Sequence, residues 1–373
     1  KVPGKYRDQY AYLIGRRLFE RGDYKSASKL LEQVTTKSPN FVGARYTLGV
    51  TYAGDYNAKQ SIESFKQVMR FMLAAQQTRA LDREETHMME LTYLGMGRVF
   101  YSAGKGNYDK AIKYYSKIPR TSRNWPKALF EMSWVYFQMD QFNAALGNLH
   151  TLNSPFFSDS YFPEAPILSA TLFFYNCKYD RVRYELDEFS YVYEPLKDKI
   201  TKILEEHNDE AKIIGWFRKQ RAGKTEIEDE QLRRIVAASL DDKALANKLK
   251  LLDAVETEEK TLNKQAKSWR DSPLGVSMLQ SAALAKADAT SNAADQIKKR
   301  LDRINEEIKN LIVKRERILV EVARAEKGEV DADLKAGMVV SANQSKKKKI
   351  VASDEELLWT FDGEYWRDEL GFY

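Results

Sequence analysis

Apolar and small residues in the first half of the chain return every 34 positions. Gly15 recurs as Gly49, Leu31 as Phe65 and Val34 as Val68. Further along, Ala111 recurs as Ala145, Tyr115 as Leu149 and Ile118 as Leu152. The phase breaks once: Ser61 to Ala111 spans 50 residues, one period plus 16. The surplus falls within 70–91, as a lengthened helix pair or a loop. The turn Gly104-Lys105-Gly106-Asn107 is two residues longer than the pattern. A looser fifth copy covers 161–195, with Ala170, Tyr179, Val182, Leu186, Phe189 and Pro195. Small residues at one offset and large ones at another predict paired antiparallel helices. Gly15, Gly49, Ala27, Ala111 and Ala145 permit close approach, and Leu31, Phe65 and Tyr115 fill the space between. One such pair cannot bury its apolar face alone, so neighbours must stack.

Beyond Pro195 the echo stops but helical spacing continues. Ile200, Ile203 and Leu204 share a face, as do Ile213, Ile214 and Phe217; Leu245, Leu249, Leu252 and Val255 form another stripe. A turn is expected at Ala222-Gly223-Lys224 and a helix start at Asp241-Asp242. Residues 196–275 read as a helical region capping the repeats. Pro273 and Gly275 break the chain before a new element. Residues 276–330 read as a coiled-coil arm. Its seam is Ile297, Leu301, Ile304, Ile308, Leu311, Ile318 and Val322, spaced four and three apart and interrupted only by Arg315. Such a seam requires a partner helix. That partner is a second copy of the chain, another protein, or a helix around 276–290 folding back.

The 34-residue period resembles the tetratricopeptide repeat (TPR) family. The first copy carries Gly22-Asp23-Tyr24-Lys25-Ser26-Ala27, then Leu31, then Pro39-Asn40. The resemblance implies an all-α fold: a TPR-like right-handed helical solenoid over 1–195, then the capping region, the coiled-coil arm and an aromatic C-terminal tail. It also implies a binding groove lined by the first helix of each repeat. The groove positions carried over are Tyr12, Arg16, Phe19, Tyr46, Arg98, Tyr101, Phe130, Trp134, Phe137 and Phe174. The family's Lys/Asn carboxylate clamp is not matched, because Tyr12 and Arg16 stand in its first two places. An apolar or acidic peptide suits this aromatic groove better.

Composition narrows the reading. Of 373 residues, 31% are charged, and no run approaches the ~18 apolar residues of a membrane span. A net charge of +6 suits mixed partners better than dedicated nucleic-acid binding. The single cysteine, Cys177, allows no internal disulfide and is expected to be a buried small residue in a turn. The chain begins Lys1-Val2-Pro3, so a missing signal peptide does not fix the compartment. Residues 331–353 read as a flexible linker with Lys346, Lys347, Lys348 and Lys349, either solvated or touching nucleic acid, anionic lipid or an acidic partner. Residues 354–373 read as a docking tail carrying Trp359, Phe361, Tyr365, Trp366, Phe372 and Tyr373. So many aromatics are costly to leave in water, so the tail docks on its own body or on a partner.

His87, His150 and His207 are far apart in sequence, and no nucleophile elbow, Walker motif or Cys pair is present. The expectation is a non-catalytic scaffold without cofactor or metal that binds other proteins, with self-association through the coiled coil as one of the options for its seam. The alternative is an adaptor for nucleic acid or an anionic membrane surface. Tyr161-Phe162-Pro163-Glu164-Ala165, Asn176-Cys177-Lys178-Tyr179-Asp180 and Gly363-Glu364-Tyr365-Trp366-Arg367-Asp368-Glu369-Leu370-Gly371 are similar to segments of envelope TPR proteins of gliding and predatory bacteria. That resemblance implies a periplasmic or outer-membrane-associated place in an envelope or motility machine, with the cytoplasm as the alternative.

Overall fold

The computed structural model describes residues 4–157, 160–224, 227–335 and 370–371. All regular structure among them is helical. Five helix hairpins come first. They are α1 (Arg7–Glu20) with α2 (Tyr24–Leu31), α3 (Phe41–Gly54) with α4 (Ala58–Gln76), α5 (Arg83–Ser102) with α6 (Tyr108–Tyr115), α7 (Trp125–Gln138) with α8 (Phe142–Leu152), and α9 (Ala165–Tyr175) with α10 (Tyr179–Glu206). Then follow α11 (Glu210–Arg221), α12 (Glu230–Ser239), α13 (Lys243–Asn263), α14 (Lys267–Arg270) and α15 (Pro273–Lys335). The 16-residue surplus is a lengthened helix pair: α4 runs 19 residues and α5 runs 20.

The small-against-large pattern is what closes each hairpin. A Cβ on Gly15 would stand 2.8 Å from Leu31, one on Gly49 2.7 Å from Phe65, and one on Gly97 2.6 Å from Tyr115. Gly95 approaches Phe65 from the other side, where a Cβ would lie 2.6 Å from the ring. Ser61 stands in the second copy where Ala27 stands in the first, and its hydroxyl donates to the Gly49 carbonyl at 2.7 Å. The turn inside each hairpin also repeats. Gly22, Tyr56, Gly104, Asp140 and Cys177 all have positive φ. In the first two hairpins the next residue, Asp23 or Asn57, caps the second helix by accepting the Ser26 or Gln60 amide. Cys177 is therefore an exposed turn residue, not a buried one.

The described chain forms two compact units. One runs to Leu152 and includes Gly371; the other runs from Asn153 to Leu370. The division differs from the boundary expected at 195. Ile167, Ala170, Val182, Leu186 and Phe189 of the fifth hairpin share one buried cluster with Leu196, Ile200, Ile213, Phe217, Leu249 and Leu301. Helix α10 runs unbroken through Pro195, where the repeat echo stops.

The second unit is built around α15. Its 63 residues extend about 95 Å at ~1.5 Å per residue. Residues 276–290 belong to this same continuous helix, so they do not fold back on the seam. Ile297, Leu301, Ile304, Ile308, Leu311 and Val322 are buried and Ile318 is partly buried, all in one cluster with residues of α9 to α13. Helices α10, α11 and α13 pack along α15. The helices that cover these seam residues come from the same chain. Arg315, which interrupts the heptads, points its Nε at the Leu186 carbonyl at 3.4 Å.

Candidate functional site

The first helices of successive hairpins lie side by side in the first unit. Helix α1 contacts α3, and α3 contacts α5. Between α5 and α7 the link is an ion pair. Arg98 Nε donates to Glu131 Oε2 at 2.9 Å and Arg98 Nη2 to Oε1 at 2.5 Å. This two-pronged geometry is the strongest common form of carboxylate recognition. Burial opposes the Arg98 charge, but the Glu131 hydrogen bonds and charge outweigh it and raise the guanidinium pKa.

Other groups converge on this pair. Burial pulls the Lys127 ammonium below its ordinary range and the Arg98 charge adds to the effect, against the pull of Glu131. Burial lifts the Tyr46 hydroxyl while Arg98 draws it down. Tyr115 is lifted by burial and then by the Glu131 charge, against the pull of Arg98. Tyr101 is raised by burial and by its neighbour Tyr108. The result is an Arg98–Glu131 ion pair that the Lys127 ammonium senses electrostatically, beside the phenols of Tyr46, Tyr101 and the buried Tyr115. It can hold a further anion at the cationic side and apolar side chains against the rings.

The predicted groove residues divide by role. Tyr46, Arg98 and Tyr101 gather here, and Phe130 and Trp134 are partly buried on α7 beside Glu131 in sequence. Four of them close hairpins: Phe19 meets Tyr24 at 6.0 Å, Tyr101 stacks on Tyr108 at 5.8 Å, Phe137 meets Phe142 at 6.1 Å and Phe174 meets Tyr179 at 6.0 Å. Tyr101 belongs to both groups. Tyr12 packs on α3, where a Cβ on Gly43 would stand 2.9 Å from its hydroxyl. Arg16 is exposed and paired with Glu20 at 3.3 Å within its own helix. Phe174 lies in the second unit, apart from the others. Glu131 and Lys127 escaped the sequence reading. Arg98 and Glu131 are 33 residues apart, close to one repeat, so opposite charges at near-repeat spacing were the available signal.

Other predicted features fall elsewhere. Trp359, Phe361, Tyr365, Trp366, Phe372, Tyr373 and the lysines 346–349 lie outside the described residues. Among the described residues, no group of three or more His, Cys, Asp or Glu is placed to hold a metal ion. Within the same limits, no helix is long and apolar enough to cross a membrane. An open pocket of about 350 Å³ lies in the second unit between Phe217, Arg221, Leu240 and Leu245.

No protein-family model matches the chain, and no curated protein matches it. Solved structures do. A putative kinesin light chain of Podospora anserina, with nearly identical TPR-like repeats, is similar at 14% identity and a TM-score of 0.38, over 51% of this chain and 95% of that one. A thermophilic TPR protein of Thermus thermophilus is similar at 19% identity and a TM-score of 0.32, over 49% and 90%. The pilF protein of Pseudomonas aeruginosa is similar at 15% identity and a TM-score of 0.27, over 51% and 93%. These are likenesses of helical architecture and assign neither partner nor activity.

Proposed function

We propose that this chain is a non-catalytic scaffold that holds an acidic or apolar peptide segment of a protein partner on the face shared by α3, α5 and α7. One observation carries the reading: on α7 the exposed Lys127 stands one turn before Glu131, whose carboxylate both prongs of Arg98 already hold, among Tyr46, Tyr101 and the α7 aromatics. An incoming carboxylate gains charge-assisted hydrogen bonds there, and aromatic faces beside it give area at little entropic cost.

The narrower setting is also a proposal. An assembly of envelope or motility type, periplasmic or at the outer membrane, rests on the short motifs at 161–165, 176–180 and 363–371. Fractionation of the native host tests it, and recovery of the chain in the cytoplasmic fraction alone removes it.

The binding reading is tested by site-specific photo-crosslinking in that host. Crosslinkers at Tyr46 and Trp134 should capture the same protein, whereas those at Lys29 and Lys113, exposed on α2 and α6, should not. Lys127→Glu should cut capture at least fivefold. Equal capture from all four positions, or none from Tyr46 and Trp134, defeats the proposal.

A further inference from the structure

Thr151, in the last turn of α8, is fully buried yet its hydroxyl serves two backbones. Its Oγ1 donates to the Gly147 carbonyl at 3.0 Å and accepts the Gly371 amide at 3.1 Å. Gly371 comes from 220 residues further along the chain. It sits at φ +91°, and a Cβ there would lie 3.1 Å from Trp125 Cζ2 and 3.8 Å from Arg120 Nε. Trp125 opens α7 and is 7% exposed; Leu370, immediately before the glycine, is 4% exposed. Two features therefore favour glycine at one point, while the fixed hydroxyl of Thr151 receives its amide. The indole edge crowds a side chain, and the left-handed backbone costs any other residue about 1–2 kcal/mol.

We propose that Thr151, Trp125 and Arg120 form a peptide-docking site selective for a left-handed glycine, filled in cis by Gly371. The site uses other residues than the Arg98 face and stands or falls independently of it. A tethered occupant acts at an effective concentration up to the millimolar range. A free peptide of the same chemistry binds only when the chain's own segment lets go.

The test uses the full chain and a fluorescein-labelled peptide of residues 362–373, followed by anisotropy. The unaltered chain should bind the peptide weakly. Gly371→Val in the chain evicts its own segment, because a β-branched residue does not adopt that backbone, and should tighten peptide binding at least tenfold. Adding Thr151→Val should abolish the gain. Equal binding to the unaltered and Gly371→Val chains, or a gain that survives Thr151→Val, overturns the proposal. Amide exchange gives a check that needs no variant. The Gly371 amide should exchange at least tenfold more slowly than an unprotected amide, and exchange at the unprotected rate is equally fatal.

Discussion

Tyr56 is 97% exposed and sits at φ +57°, in the turn where the first hairpin has Gly22. Its side chain gains nothing from burial, and its backbone bears the left-handed cost. Tyr56→Gly should therefore stabilise the first unit by about 0.5–1 kcal/mol after the glycine entropy penalty, read as a higher urea midpoint. Cys177→Gly should do the same for the second unit. Loss of stability in either variant would show that the turn is held by contacts of its side chain. The opposite case is Gly95, whose missing side chain leaves room for the Phe65 ring. Gly95→Ala should cost about 1–3 kcal/mol, and Phe65→Leu in the same chain should return part of it. Additive losses in the double variant would mean that the two positions do not meet.

Helix α15 shows how an element's surroundings govern its role. Its seam residues have a coiled coil's spacing, yet they face several helices of one chain. Burying a carboxylate there leaves it without a partner. Ile304→Asp should cost roughly 4 kcal/mol or more. Amide exchange should rise in α11 and α13 while α1 to α6 keep their protection. Unchanged exchange in α11 and α13 would contradict the seam's place in that core. The flanking polar residues reinforce its setting: Lys298 donates to the Asn208 carbonyl at 2.6 Å, Arg300 to the Ser239 carbonyl at 2.7 Å and Lys314 to Glu164 at 2.9 Å.

The stability of the molecule as a whole should carry a pH signature from the second unit. Burial lifts the Glu185 carboxyl from 4.5 to about 7, with Glu188 adding to the shift and Arg181 opposing it. A raised carboxyl pKa means that the folded state holds the proton more tightly than the unfolded one. The stabilising contribution is full below about 4.5 and is lost as pH rises through about 7. Glu185→Gln should match the unaltered chain near pH 4 and exceed it by roughly 3 kcal/mol at pH 8. Urea midpoints at the two pH values decide this; equal differences at both would exclude Glu185 as the source.

The sequence by itself determined the hairpins, because the contacts that make them span one repeat. Gly15 meets Leu31 and Gly49 meets Phe65 within 16 positions, so small and large residues had to recur in phase. It also determined that 297–322 would be buried, since heptad spacing puts apolar residues on one face wherever the cover comes from. The tertiary structure alone decided what that cover is, where the two units divide, and which aromatics close hairpins. It decided, too, that Glu131 pairs with Arg98. Those outcomes depend on contacts such as Arg315 with Leu186, Lys314 with Glu164 and Gly371 with Thr151, separated by 129, 150 and 220 positions. A single pairing at such a distance leaves no period in the chain; only the fold brings the two residues together.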